Sequence, residues 1–79
     1  MKLTVKYFAA LRDERGLDEE VIDTDCVTSE ALYDYLKKNN ELSFCKSKLK
    51  VAINDEFADW STELNNGDVV VFIPPVAGG

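Results

Sequence analysis

The chain has 79 residues, 46% of them hydrophobic and 30% charged, with a formal net charge of −6. This length predicts one domain with a thin core, and this composition is typical of a soluble globular protein. The acidic balance argues against a nucleic-acid partner, since binding to a phosphate backbone depends on clustered lysine and arginine. It favours a basic protein partner, although solubility alone explains an acidic surface equally well.

Histidine is absent from the sequence, and the two cysteines are Cys26 and Cys45. Neither a Cys/His metal site nor a Cys-His nucleophile pair can be assembled, and we expect no metal and no bound cofactor. The N-terminal residues contain no long apolar stretch, which argues against a signal peptide and against a membrane span. We expect a cytoplasmic protein with two free thiols, because a disulfide would need an oxidising compartment.

The N-terminal third predicts a strand, a short helix and a returning strand. Residues 2–7 alternate strictly between polar and apolar types, which is the pattern of a half-buried strand. Residues 8–15 contain good helix formers, and Gly16 suits a left-handed helix end. Residues 19–23 then predict a second strand, antiparallel to the first.

The main helix is predicted over residues 28–38. Thr28 is a suitable N-cap, and Glu30 lies in the first turn, where a negative charge suits the helix dipole. The helix has an apolar stripe that needs a sheet to cover it. The stripe consists of Ala31, Leu32, Tyr35 and Leu36. The irregular segment that follows, residues 41–49, is expected to turn Leu42, Phe44 and Leu49 under the core.

The C-terminal half predicts three further strands. Residues 50–53 form the third strand, and the turn residues after them lead to a short edge strand near Phe57. A strong turn signal at residues 65–68 precedes residues 69–73, which form an unbroken apolar run. Such a run is expected of a central strand, because an edge strand alternates or carries charge.

These elements predict an α+β fold in which one main helix crosses a single mixed β-sheet, with the first and last strands parallel in its middle. This is a β-grasp arrangement, and we place the domain at residues 1–73. The residues expected in its core are Leu3, Val5, Ile22, Leu32, Leu36, Val51, Ile53, Val69 and Val71.

The last six residues are Pro74, Pro75, Val76, Ala77, Gly78 and Gly79. Two prolines cannot continue a strand ladder, so residues 74–79 are expected to form a flexible tail that projects by up to about 20 Å. Glycines lack a Cβ and let a backbone pass through a narrow channel. The tail is therefore long and slender enough to enter the active site of a neighbouring protein.

Five segments of the chain carry a further signal: 8–13 before Gly16, 28–32, 51–54, 66–68 and 72–79. Together they resemble the small subunits of molybdopterin synthase, a family of ubiquitin-like sulfur carriers. The resemblance spans the whole chain. Its most specific parts are the aromatic-Ala-x-x-Arg start of the first helix and the Pro-Pro-Val-x-Gly-Gly ending.

This resemblance implies that the working group is the C-terminal carboxylate of Gly79, with no catalytic side chain in the carrier. A partner similar to the ubiquitin-activating enzymes would consume ATP to adenylate this carboxylate, and a sulfur donor protein would convert the adenylate into a thiocarboxylate. The tail would then enter the large subunit, in a complex of two small and two large subunits. There it would give its sulfur to cyclic pyranopterin monophosphate in molybdenum cofactor biosynthesis.

An apolar docking patch is predicted beside the tail. Phe8 and Ile73 flank the root of the tail if the first and last strands are neighbours, and Phe57 can approach the same edge. Aromatic anchors are enriched where protein partners bind. The alternative is that these residues belong to the core, where a small domain also uses its aromatic side chains.

Arg12 and the two cysteines also have interpretations that involve no function. Arg12 matches the family's helix motif and is a candidate for partner binding, but it can also form a surface ion pair with Asp13 or Glu14. Cys26 and Cys45 are expected to be inert thiols, because no neighbouring base that would activate them is visible.

Other functions remain open at this point. A covalent protein modifier would begin with the same adenylate and end in an amide between Gly79 and a target lysine. Thiamine-pathway sulfur carriers share the fold and the Gly-Gly ending, but they tend to be shorter and to lack the Pro-Pro pair. A binding module with an incidental Gly-Gly would tolerate an added residue after Gly79.

Overall fold

The computed structural model describes residues 1–75, which form five strands, two α-helices and one 3-10 helix. Every element predicted from the sequence is present, and residues 46–48 add the 3-10 helix. The strands are β1 (Lys2–Tyr7), β2 (Glu19–Asp23), β3 (Lys50–Ile53), β4 (Glu56–Ala58) and β5 (Val69–Ile73). The α-helices are α1 (Ala9–Arg15) and α2 (Ser29–Asn40).

The five strands form one mixed sheet in the order β2-β1-β5-β3-β4. The central pair, β1 and β5, is parallel, and the other neighbouring strands are antiparallel. Side chains of α2 join those of β1 and β5 in one core cluster, so the helix covers one face of the sheet. The β-grasp fold and the central position of the last strand are thereby confirmed. Within residues 1–75, no helix is long and apolar enough to cross a membrane.

The end of α1 and the start of α2 are capped as their sequences predict. Gly16 adopts the left-handed region with φ of 78°, and its N–H donates to the carbonyl of Arg12 at 2.8 Å. At the start of α2, the Thr28 hydroxyl accepts a hydrogen bond from the N–H of Ala31 at 3.2 Å. These contacts satisfy backbone groups that the helices themselves leave unpaired.

The buried stripe of α2 differs from the predicted one. Tyr35 is 46% exposed, whereas Tyr33 is buried. The ring of Tyr33 packs edge-on against that of Phe72 with centroids 5.1 Å apart, and its hydroxyl donates to the carbonyl of Phe44 at 2.7 Å. At this position the ring of Tyr33 has an apolar packing partner and its hydroxyl has a hydrogen-bond acceptor, whereas Tyr35 lies on the outer surface.

The faces of β5 were assigned wrongly. Val70 and Phe72 are fully buried against α2, whereas Val69 and Val71 are half-buried and lie on the other face of the sheet. Ile22 and Ile53 are partly buried and pack against the core from its edge. The remaining predicted core residues are confirmed: Leu3, Val5, Leu32, Leu36 and Val51.

The irregular segment after α2 closes one end of the core, as predicted. Leu42 and Leu49 are buried, and Phe44 is partly buried against the core cluster. Trp60 is also partly buried, with its ring stacked on that of Phe72 at a centroid distance of 5.9 Å. Phe44, whose carbonyl accepts the hydrogen bond from Tyr33, and Trp60 therefore both support the aromatic cluster that anchors α2.

The chain leaves the sheet through its two prolines. Pro74, assigned to the tail from the sequence, is buried, and Pro75 is exposed. The exposed part of the chain beyond β5 thus begins at Pro75. The predicted tail residues Val76, Ala77, Gly78 and Gly79 lie outside the described residues.

Candidate functional site

The face of the sheet opposite α2, here called the open face, carries apolar side chains at the root of the tail. In register, Val71 of β5 lies beside Ala52 of β3, and Ala52 lies beside Phe57 of β4. Ile73 follows two residues later on the same face, directly before the prolines. An apolar row therefore runs from the β4 edge to the point where the tail leaves.

These residues enclose a hollow of about 230 Å³, here called the docking hollow. Its lining consists of Phe8, Ala52, Asp55, Phe57, Val71 and Ile73. Phe8 is 51% exposed and Phe57 is 76% exposed, although both are large apolar side chains. Exposed aromatic rings around a hollow are typical of a protein-binding surface. The structure thus brings Phe8, Phe57 and Ile73 together, and it adds Ala52 and Val71, which the sequence reasoning missed.

Phe8 is held at this face by the turn from β1 into α1. Its backbone is extended, with φ of −120° and ψ of 147°, while the next residue, Ala9, has φ of 49°. A left-handed alanine costs roughly 1 to 2 kcal/mol, so the surrounding structure must enforce this turn. Buried Leu11 anchors the helix, and its N–H donates to the carbonyl of Phe8 at 3.0 Å.

Phe57 is placed by the tight hairpin between β3 and β4. The two turn residues, Asn54 and Asp55, both have positive φ values, 52° and 71°. The Asn54 side chain donates to Asp68 Oδ1 at 2.9 Å and accepts from the N–H of Val69 at 2.9 Å. The hairpin is thus fastened to the start of β5, which fixes β4 and its aromatic side chain beside the hollow.

Arg12 does not line the docking hollow. Its Nε lies 3.7 Å from Asp18 Oδ1, and both side chains are largely exposed. The acid beside it is therefore Asp18, and neither Asp13 nor Glu14 takes that role. Glu14 instead accepts hydrogen bonds from the hydroxyl and the N–H of Ser43. An exposed pair of this kind contributes little to stability, which leaves Arg12 available to a partner.

A polar cluster that joins α1 to β1 and β2 was not predicted from the sequence. The buried Tyr7 hydroxyl donates to Glu20 Oε2 at 2.6 Å, and the Arg15 guanidinium donates to both oxygens of Glu20 at 2.9 Å. The hydrogen bond from Arg15 lowers the pKa of Glu20, whereas burial raises the pKa of Tyr7. The cluster ties α1 to β1 and β2 and so supports the position of Phe8.

The described residues do not assemble a metal or thiol site. Within residues 1–75, no group of three or more His, Cys, Asp or Glu side chains could hold a metal ion. Cys26 and Cys45 are free thiols, the first half-buried and the second exposed. What the described residues offer is an exposed apolar surface beside the point where the chain continues towards Gly79.

The family model that matches this chain is that of the ThiS family, over residues 5–79. The chain is 36% identical to a molybdopterin synthase sulfur carrier subunit of Haemophilus influenzae, covering 98% of this chain and 99% of that one. It is 32% identical to the subunit of the same name in Escherichia coli, with the same coverage.

Several solved structures have the same fold. A putative molybdopterin converting factor subunit 1 from Pyrococcus furiosus has a TM-score of 0.79 at 32% identity, covering 96% of this chain and 99% of that one. A complex of subunits 1 and 2 of the molybdopterin-converting factor from Helicobacter pylori has a TM-score of 0.71 at 26% identity, with full coverage of both chains. SAMP1 from Haloferax volcanii has a TM-score of 0.79 at 25% identity, with full coverage of both chains.

Both the family model and the relatives cover nearly the whole chain, tail included. The ubiquitin-like fold, the Pro-Pro-Val-Ala-Gly-Gly ending and the exposed apolar surface at its root all agree with this match. The chain belongs to the ThiS family and, within it, to the molybdopterin synthase sulfur carrier subunits.

Proposed function

We propose that this chain carries sulfur as a thiocarboxylate on Gly79 and delivers it inside a molybdopterin synthase. The observation that carries the proposal is the position of the docking hollow. Its residue Ile73 directly precedes Pro74 and Pro75, so a protein that binds the hollow lies where the tail begins. A docked partner can therefore receive the tail in its active site.

The chemistry of this proposal needs no catalytic side chain in the carrier. The Gly79 carboxylate is ionised at neutral pH, since the reference pKa of an α-carboxyl group is about 3.5, and can attack the α-phosphorus of ATP bound to an activating enzyme. This attack releases pyrophosphate. Sulfur at the oxidation level of sulfide, delivered by the sulfur donor protein, then forms a bond to the acyl carbon as the bond to AMP breaks, which leaves a thiocarboxylate and AMP. The carrier supplies the nucleophile and the docking surface, and its partners supply the activation.

The proposed receiving partner is the large subunit of the synthase. In the Helicobacter pylori structure, subunits 1 and 2 of the molybdopterin-converting factor form a protein–protein complex, and this chain is similar to a chain of that complex over its full length. We propose an assembly of two small and two large subunits, with cyclic pyranopterin monophosphate as the sulfur acceptor. The free thiols of Cys26 and Cys45 fit the reducing cytoplasm as its setting.

The intact mass of the protein tests the proposal. The chain is purified from cells with a working pathway, and from matched cells that lack the activating enzyme. The expected result is a species in which sulfur replaces one oxygen at the C-terminus, present only in the first cells. A protein that carries only the ordinary carboxylate in both would contradict the proposal.

A protein modifier is the second candidate, favoured by the similarity to SAMP1, a small archaeal modifier protein. A modifier would use the same adenylate but would accumulate as an amide on lysine side chains of other proteins. The same cell extracts distinguish the two functions. Conjugates in place of the thiocarboxylate would identify a modifier.

A further inference from the structure

A basic segment interrupts the acidic sequence near the root of the tail. Between Glu41 and Asp55 there is no acidic residue, while three lysines follow each other at every second position. They are Lys46, Lys48 and Lys50. In a chain with a net charge of −6, this segment forms a local positive region.

The three lysines differ in their contacts. The Lys46 ammonium group lies 2.8 Å from Asp34 and 3.2 Å from Glu30, so two acids of α2 neutralise it. Lys48 and Lys50 are exposed, and neither forms an ion pair with another residue of the described range 1–75. Their charges are therefore available to a group outside the domain.

Lys48 and Lys50 both line a hollow of about 270 Å³ at the root of the tail. Pro74 and Pro75 line the same hollow, and its lining contains no acidic residue. Lys50 also lies beside Ile73 in the sheet register, next to the docking hollow. The two lysines thus lie beside the prolines through which the chain leaves the sheet, and Ile73 lines both this hollow and the docking hollow.

We propose that Lys48 and Lys50 form a cationic rim that receives an acidic surface of the protein partner, around the entrance through which the tail passes. This proposal rests on the proposed function and names the chemistry of the partner at the same site. The net charge of −6 favoured a basic partner. At the root of the tail we expect the opposite, an acidic partner surface, although the carrier as a whole is acidic. Charge complementarity at the rim then orients the carrier so that the tail meets the entrance.

Rim charges act mainly on the rate of association and on its dependence on salt. Lys48 and Lys50 lie at the root of the tail, so they are expected to affect docking and to leave sulfur transfer in the docked complex unchanged. Their exposure also means that neutral substitutions should not disturb the fold.

The experiment measures association of the full carrier with the large subunit at low and at high salt. The test variant is Lys48→Gln/Lys50→Gln, and the charge-preserving variant is Lys48→Arg/Lys50→Arg. The matched control is Lys37→Gln/Lys38→Gln, which removes the same net charge from the last turn of α2, on the other side of the sheet from the docking hollow. We expect the test variant to associate at least about threefold more slowly at low salt and to lose part of the salt dependence. The arginine variant and the control should keep the wild-type rate within about twofold.

The outcomes separate this inference from the proposed function. If the wild-type carrier binds and the test variant has an unchanged rate and salt dependence, the acidic partner surface is wrong and the proposed function stands. An equal effect of the control variant would also overturn the inference, since it would show a response to net charge alone. Failure of the wild-type carrier to bind the large subunit at any salt concentration would overturn both.

Discussion

Glu20 is the residue through which α1 is tied to the sheet. Its carboxylate accepts hydrogen bonds from the Tyr7 hydroxyl and from two nitrogens of Arg15. Hydrogen bonds to a charged group contribute about 1.5 to 3 kcal/mol when the site is shielded from water. Because α1 begins directly after Phe8, this cluster stabilises the helix that holds one wall of the docking hollow.

The pH dependence of stability should show the role of Glu20. Its pKa is lowered in the folded protein, chiefly by the hydrogen bond from Arg15. Its stabilising contribution is therefore complete above its ordinary pKa and is lost as the pH falls through the lowered value. We expect Glu20→Gln to lower the free energy of unfolding by about 1 to 2 kcal/mol at pH 7 and by less at pH 3, which lies below the ordinary pKa of a glutamate. Denaturant unfolding at both pH values measures this difference, with exposed Glu19→Gln as the control. An equal loss at both pH values would show that charge is unimportant here.

Single residues also mark where sequence reasoning ends. Tyr33 and Tyr35 are the same residue type two positions apart, and either can complete a helical stripe with Leu32 and Leu36. Only the tertiary partners of Tyr33, the ring of Phe72 and the carbonyl of Phe44, decide between them. The Tyr7–Glu20–Arg15 cluster was missed for the same reason, since it joins three elements whose relative positions the sequence does not give.

At the scale of elements, β5 separates stability from docking along one strand. Val70 is fully buried under α2, whereas Val71 lies on the open face in the docking hollow. The sequence predicted the strand, its bounds and its central position correctly, because a long apolar run followed by prolines has few other interpretations. The same run has no polar residue to mark the solvent side, and so the two faces were interchanged.

A matched pair of substitutions tests this assignment of faces. Threonine has nearly the shape of valine but places a hydroxyl where a methyl group was. In Val70→Thr the hydroxyl is buried in the apolar core, so we expect a loss of about 1 to 3 kcal/mol in the free energy of unfolding. In Val71→Thr we expect a loss below about 0.5 kcal/mol together with weaker binding to the large subunit. Thermal melts and a binding titration of both proteins measure the contrast, and equal melts would contradict the observed faces.

The helix and hairpin that flank β5 present the two aromatic anchors. We expect Phe8→Ala and Phe57→Ala each to weaken binding to the large subunit by about 1 to 3 kcal/mol, while the free domain stays folded. Both rings are largely exposed in the free domain, so their removal leaves the core intact. Tyr35→Ala, at an exposed aromatic residue on the opposite side, is the control. An unfolded variant or an unchanged affinity would remove the residue from the docking surface.

At the scale of the whole molecule, the residues that stabilise the fold are different from those that form the surface at the root of the tail. The core cluster that α2 and the sheet enclose includes residues from Leu3 to Phe72, and Pro74 directly after β5 is also buried. The open face carries an apolar hollow, and beside it lie two lysines that form no ion pair within residues 1–75. The sequence predicted the β-grasp fold and placed Phe8, Phe57 and Ile73 near one another, but the position of the two lysines is apparent only when residues 48 and 50 are seen beside residues 74 and 75. The net charge could not reveal these lysines, because it is a sum over the whole surface and does not describe any one face of the domain.

The length of the tail should matter for sulfur transfer and not for stability. On the proposed function, Gly79 must reach a fixed point in the large subunit while the domain stays docked at its hollow. Deleting Gly79, or adding one residue after it, moves the terminal group by about 3.3 to 3.6 Å. Reacting atoms must approach to roughly 3 to 3.5 Å, so this shift removes the productive geometry even when docking is intact.

We therefore expect both length variants to form no more than traces of pterin product when they are supplied as chemically prepared thiocarboxylates to the reconstituted large subunit. Their thermal melts should match that of the wild-type domain, because the residues of the core cluster all precede the change in the sequence. The wild-type thiocarboxylate is the positive control, and Phe57→Ala with a wild-type tail is the informative comparison. Since its defect is in docking, a higher concentration of Phe57→Ala should restore its product, whereas no concentration should rescue a tail of the wrong length.

Near-normal product from either length variant would mean that the terminal group is not held at a fixed distance. The carrier mechanism would then have to be abandoned for a binding function of the open face.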